Sequence, residues 1–483
     1  MKLSRRHFLG AAAAAAVAPS LFPSRPTLAE AAPAITLRVE RRVIEVLGRA
    51  AGAYAIRQPD GTLGLAARVG ERFRVRLDNR AGEPTLIHWH GLIPPWQQDG
   101  VPGLSQPALA PGEHHEYDFP LPLAGSYWMH SHYELQEQQS LAAPLIVREP
   151  AEASADLQDV VVMLHDFSFR DPAEILAGLG RANERAAGST GSGGHGMGHG
   201  APQPSPGGHG AAAPAVHLHD VEYDAFLADD RTLDDPAVHR VEVGGRVRLR
   251  LINAAAATNF WIDLEALSGR LVAVDGVPVE PTEGGRFEFA IAQRLDILLE
   301  LPREEGAWPV FAVREGDSLR TGFVLATKNG RIARLDGRTE HPAAPVALGL
   351  ERRLRSRRPL TPRPADRRHV VTITEMPGYV WMLNGAVHGQ HAPLQVRDGE
   401  RVEIEFVDRT SMAHPMHLHG HHFQVVAIDG TPFQGAVRDT VLVPAGGRVT
   451  IAFDAANPGR WALHCHHLYH MAGGMMTTVE YES

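Results

Sequence analysis

The stretch His464-Cys465-His466-His467-Leu468-Tyr469-His470-Met471-Ala472-Gly473-Gly474-Met475-Met476 gathers a thiolate, imidazoles and thioethers into one short run, and Cys465 is the only cysteine in the chain. These are ligands for a copper ion that changes valence. A Cys thiolate with two His and a weak axial Met describes a blue-copper electron-transfer site. Cys465, His470 and Met475 can supply three of those four ligands, and the second His must come from elsewhere. Successive side chains of a strand point to opposite faces. If His464-Cys465-His466 is extended, the thiolate faces one way and both imidazoles the other. Metal on both sides would then be joined by a few covalent bonds, which is a path for electrons.

The elements that must position these groups repeat. Gly70-Glu71-Arg72-Phe73-Arg74-Val75-Arg76-Leu77-Asp78-Asn79 alternates apolar with charged residues, as do Gly244–Asn253 and Gly399–Asp408. Each copy opens on a Gly-containing turn and runs at period two, the pattern of a half-buried strand. Three copies imply three related β domains. Sliding the first copy onto the third by 329 positions lays His88, His90 and Gly91 on His417, His419 and Gly420. In the second copy Ile262 and Leu264 stand there, so the middle domain keeps the strand and lacks the ligands. A slide of 334 positions lays His130-Ser131-His132 on His464-Cys465-His466. The outer domains thus each offer two His-x-His pairs, and only the third adds a thiolate. An isolated His-x-His is more often a zinc site or a satisfied core pair; four in matched positions point to a shared metal cluster.

The missing imidazole lies in His414-Pro415-Met416-His417-Leu418-His419. His414 is an odd number of residues from His417, so in a strand it faces away from His417 and His419 and toward Cys465.

Short strands punctuated by Gly and Pro read as β-sandwiches, with boundaries near 150–157 and 340–366. The Arg- and Pro-rich run Arg352 to Arg368 reads as a linker. Gly188 to Pro214 is a Gly/Ser/Pro/Ala-rich insert unsuited to a core. It carries His195, Met197, His199 and His209, with His217 and His219 just after.

Ser4-Arg5-Arg6-His7-Phe8-Leu9 resembles a twin-arginine export signal, followed by a short Ala-rich run and a small-x-small site at Ala29-Glu30-Ala31. The alternative is a short amphipathic or membrane-anchoring N-terminus; the run is too short to span a bilayer. No later apolar run is long enough for a transmembrane helix, so no stable membrane insertion is expected. The formal net charge is -9. The leader holds Lys2, Arg5, Arg6 and Arg25 against Glu30, which leaves the remainder at about -12. That argues against nucleic acid as a partner and suits cations. One cysteine permits no internal disulfide. The remaining roughly 450 residues exceed a single core, and two to four domains are expected.

Together the four segments His-x-His-Gly, His-x-His, His-Pro-x-His-x-His-Gly and His-Cys-His-x-x-x-His-x-x-x-x-Met resemble the multicopper oxidase family, specifically its bacterial three-domain, periplasmic, cuprous-oxidase or laccase-like members. The resemblance spans the mature chain. It implies an all-β fold of three cupredoxin-like Greek-key β-sandwich domains, at 32–153, 154–345 with the insert near 188–214, and 366–483. A linker at 346–365 precedes the last domain and a signal peptide occupies 1–31. It implies four copper ions. His414, Cys465, His470 and Met475 would bind the type-1 copper, and His88 and His417 the type-2 copper. His90, His130, His132, His419, His464 and His466 would bind the type-3 pair, with the trinuclear cluster between the first and third domains.

The family mechanism implies one-electron oxidation of a reducing substrate at the type-1 copper and passage through Cys465, His464 and His466 to the cluster. There O2 takes four electrons and becomes water. Asp99, eleven residues after His88, stands where related bacterial enzymes carry an acidic group near the cluster, and is either a proton relay or a surface-loop aspartate. Met471 stands where some relatives have Glu. The expected substrate is Cu(I), from the His/Met insert and from Met412, Met416, Met471 and Met476 around the type-1 motifs, since thioethers are soft ligands; Met also fills ordinary core gaps. The alternatives are laccase-like oxidation of phenols or aromatic amines, and copper sequestration. The expected location is the periplasm, reached through the twin-arginine machinery.

Overall fold

The structure, a computed structural model, describes residues 34–190 and 216–482. The proposed leader and most of the His/Met insert lie outside the described residues. From Ile35 onward the described residues pack as one compact unit, in which the strands form three pairs of sheets.

Each predicted repeat strand occupies the same place in its sheet. Arg72–Arg80 lies between Ile35–Val46, to which it runs parallel, and the antiparallel His114–Pro120. Arg246–Asn253 lies between parallel Gln158–Phe167 and antiparallel Arg294–Glu300. Arg401–Asp408 lies between parallel Arg367–Met376 and antiparallel Arg448–Asp454. The period-two pattern sets the faces. Phe73, Val75 and Leu77 are buried between partly exposed or exposed arginines and Asp78, and Phe73 packs edge-on to Trp89 of the facing sheet at 4.7 Å. The other repeats fill their own interiors with Val247, Leu249 and Leu251, and with Val402, Ile404 and Phe406.

The second sheet of the first and third pairs carries the ligands. Ile87–His90 pairs with Gly125–Ser131 so that His88 lies opposite His130. His414–Leu418 pairs with Arg460–Cys465 so that His417 lies opposite His464. The two slides found in the sequence are therefore one ladder register used twice. The corresponding middle strand, Phe260–Asp263, sets Ile262 opposite Ala312, an apolar pair.

Two features depart from the expectations. Pro172–Thr190 is an α-helix, begun by Asp171, whose carboxylate accepts from the Ala173 N–H at 2.8 Å, with Pro at the first helical position. The proposed linker is packed: Val346 and Leu348 join one core cluster, and Leu350 and Leu354 join that of the middle repeat. Among the described residues no helix is long and apolar enough to cross a membrane.

Candidate metal centre

Two metal-ligand clusters lie on opposite sides of Cys465. On the first, His414, Cys465 and His470 converge, all buried. His414 Nδ1 and His470 Nδ1 are each 3.7 Å from Cys465 Sγ and 3.1 Å from each other. His414 Nε2 donates to Thr410 Oγ1 at 2.9 Å, and His470 Nε2 to Asp220 Oδ2 at 2.9 Å. With the protons held at Nε2, both Nδ1 atoms turn lone pairs inward. Such outer hydrogen bonds fix the tautomer and orientation of metal-bound histidines. Met475 is fully buried beside them, its carbonyl accepting from the Cys465 N–H at 3.1 Å. Burial pushes the Cys465 thiol well up, and burial with the neighbouring imidazole holds His414 well below the ordinary histidine range. The parity argument for His414 holds.

On the far side, His88, His90, His130, His132, His417, His419, His464 and His466 form one mass of imidazoles drawn from both ends of the chain. Three triads bring donor atoms within 4.8 Å of one another: His88, His90 and His417; His90, His130 and His466; and His132, His419 and His464. His90 belongs to two of them.

The outer nitrogens are tethered. His88 Nδ1 donates to the Asp99 carbonyl and His417 Nδ1 to the Asp439 carbonyl, both at 2.8 Å. His419 Nδ1 donates to Asp99 Oδ2 at 2.8 Å and His464 Nδ1 to the Cys465 carbonyl at 2.9 Å. His90 is turned the other way, with Nε2 3.1 Å from Asp439 Oδ1. The inner atoms are left over: His88 Nε2, His90 Nδ1 and His417 Nε2 are buried with no partner. His419 Nε2 and His464 Nε2, both lone pairs in these tautomers, face each other at 2.9 Å. Buried polar atoms normally find partners, and lone pairs at this range repel unless a cation lies among them. The donor set therefore fits metal ions. Burial first, then neighbouring imidazoles, holds His90, His130, His132, His417, His419 and His466 well below the ordinary histidine range. Burial holds His464 down to about 3. Neutral imidazoles are the form a metal needs.

Asp99 is fully buried, which excludes the surface-loop alternative. Three carboxylates were not singled out in the sequence. Glu137 places Oε2 3.0 Å from His130 Nδ1 and Oε1 3.6 Å from His466 Nδ1, and burial followed by the nearby Asp166 charge raises it well above the usual carboxylate range. Asp439 tethers His90 and is held by Arg294, which also reaches the Ser126 carbonyl at 3.1 Å. Asp220 binds His470; burial opposes its ionisation, but hydrogen bonds from His217 and His470 hold it well below the usual range. Their signals were slight: Gln136-Glu137-Gln138 soon after His132, Arg438-Asp439 before Thr440, and His217-Leu218-His219-Asp220 beside the insert. Met412 and Met416 belong to the hydrophobic core, whereas Met471 and Met476 line a cavity.

Comparison with known proteins agrees with this geometry. Multicopper oxidase sequence models match residues 62–152, 194–330 and 361–483. The multicopper oxidase MmcO of Mycobacterium tuberculosis is 31% identical, the alignment covering 99% of this chain and 97% of the relative. Copper resistance protein A of Escherichia coli is 26% identical over all of both chains. The crystal structure of a multi-copper oxidase from Pseudomonas thermotolerans superposes with a TM-score of 0.68 at 24% identity, covering 93% of this chain and all of that one. With its sequence matched nearly end to end and its paired sheets repeated three times beside buried groups that could hold metal ions, the chain belongs to the multicopper oxidase family, and is an oxidoreductase that uses O2.

Proposed function

We propose that the protein oxidises Cu(I) in the periplasm, after twin-arginine export, as part of copper tolerance. His414, Cys465, His470 and Met475 hold the type-1 copper, His88 and His417 the type-2 copper, and His90, His130, His132, His419, His464 and His466 the type-3 pair. Its three domains are assigned to 32–153, 154–345 and 366–483, a division that the three pairs of sheets support. Bound there, copper supplies one-electron oxidation at the thiolate side and reduction of O2 to water at the histidine side.

The chain's residues do the rest. Cys465 stands between His464 and His466 in sequence, and alternation turns the three to opposite sites. Asp99 sets Oδ2 2.8 Å from His419 Nδ1 and Oδ1 3.3 Å from His88 Nδ1, so one buried carboxylate touches two cluster imidazoles, which supports its assignment as a proton relay. The observation that carries the substrate reading is Asp220. Its Oδ2 bonds the outer edge of His470, and its Oδ1 lies 3.4 Å from His217 Nδ1, whose side chain is 60% exposed. A carboxylate and an accessible imidazole thus lead from solvent to the ligand at which electrons enter, and an imidazole is a group that binds copper ions. The copper resistance protein among the relatives agrees with this reading.

The test is O2 consumption by copper-loaded protein offered Cu(I) and a simple phenol in parallel, for wild type and Asp220→Ala. Cu(I) oxidation is expected to fall by about tenfold or more with phenol oxidation less affected. Fast phenol turnover with little response to Cu(I) would make the enzyme laccase-like and overturn the reading.

A further inference from the structure

We propose that the cavity of about 990 Å³ beside His132 is the port through which copper ions reach the histidine cluster. The proposal rests on the copper reading of that cluster. Nine of the ten cluster and thiolate-side histidines are buried, and His132 alone is partly exposed. His132 also lines the cavity, with its Nε2 3.4 Å from His464 Nε2 inside the cluster. None of His414, Cys465, His470 and Met475 lines it, so the cavity serves one cluster and not the other.

The walls show what passes. Glu83, Glu134 and Asp171 line the cavity, together with His388, Met471 and Met476. Carboxylates add nothing to the entry of a neutral, apolar gas, but a cleft lined by one sign of charge concentrates the opposite ion. Thioethers are soft donors that favour a cuprous ion, and imidazole suits copper better than calcium or magnesium. Parts of the chain far apart in sequence build the walls, among them Glu83, the segment after His132, the start of the helix Pro172–Thr190, His388 and the run after His470. Folding must therefore be complete before the port exists, and the port opens on a cluster already shaped for metal.

Copper-free protein would be given cuprous ion without oxygen. At timed intervals unbound metal is removed with a chelator and the sample is exposed to air. Filling of the thiolate site is read from its blue charge-transfer band, and filling of the histidine cluster from the near-ultraviolet band and the copper content. Two variants at exposed positions act by different means: Glu134→Lys reverses a charge and Ala173→Trp narrows the opening. Each is expected to slow cluster filling by about tenfold while the blue band fills at the wild-type rate. Added salt should relieve Glu134→Lys and leave Ala173→Trp slow. Wild-type filling of the cluster in both variants, or equal slowing of both bands, would overturn the port. A wild-type protein that gains neither band would instead remove the copper reading, and the port with it.

Discussion

Arg294 donates from Nη1 to Oδ1 of Asp439 at 2.8 Å, with Nη2 on the other carboxylate oxygen, and both residues are buried. The arginine comes from the middle repeat, which has no ligand at the matched strand positions, and the aspartate tethers His90 and, through its carbonyl, His417. The middle repeat therefore shapes the cluster through an ion pair. Replacing Arg294 with Met leaves a buried carboxylate without its partner. We expect a loss of about 3–5 kcal/mol in denaturant unfolding, accompanied by lower copper content. Unchanged stability would show that Asp439 is held by its other contacts.

Thr410 is the acceptor that fixes His414. Thr410→Val keeps the shape but leaves the His414 Nε2–H unpaired in the interior. A cost of about 1–3 kcal/mol is expected, and copper at the thiolate site should be lost to a chelator about 10–100-fold more readily. The check is chelator titration followed through the blue band, with the cluster content as internal reference.

Asp99→Asn keeps an oxygen for His419 and removes the ionisable group. If Asp99 relays protons, O2 reduction slows by about a hundredfold, while anaerobic bleaching of the blue band by substrate keeps its wild-type rate. Equal slowing of both would make Asp99 a structural residue.

Glu315 gives a pH prediction away from the metals. Burial, only partly offset by hydrogen bonds from the Val346 N–H and Asn259, raises it to about 7. The folded state thus holds this proton more tightly than the unfolded chain. Its contribution to stability is fully present below the unfolded value near 4.5 and is lost as pH rises through about 7. Glu315→Gln should flatten that fall, worth about 3 kcal/mol between the two limits, in melts of the copper-free protein from pH 4 to 8. An identical pH slope in both proteins would count against it.

Local patterns made much of the site legible. The parity of His414 against His417 placed it on the thiolate side, and the matched offsets of His88 and His130 reflected one ladder register. What escaped the sequence has no such periodicity. Glu137, Asp220 and Asp439 act on histidines of other segments, and Asp220 meets His470 across 250 positions. The helix Pro172–Thr190 did carry its signals, Asp171 before Pro172, inside a chain otherwise read as strands. The Arg/Pro-rich run around Leu350 looked loose because its charges mask the few apolar residues that anchor it.

The cluster joins His132 to His464, 332 positions apart. Contacts of such separation bear the closure entropy of a very long loop and are slow to form. A chain cut before residue 460 holds six of the eight cluster imidazoles but lacks His464 and His466, and with them Cys465, the one thiolate. Redox capability is thereby withheld until the first and last repeats have closed on each other, so capture of the ion reports that long-range closure.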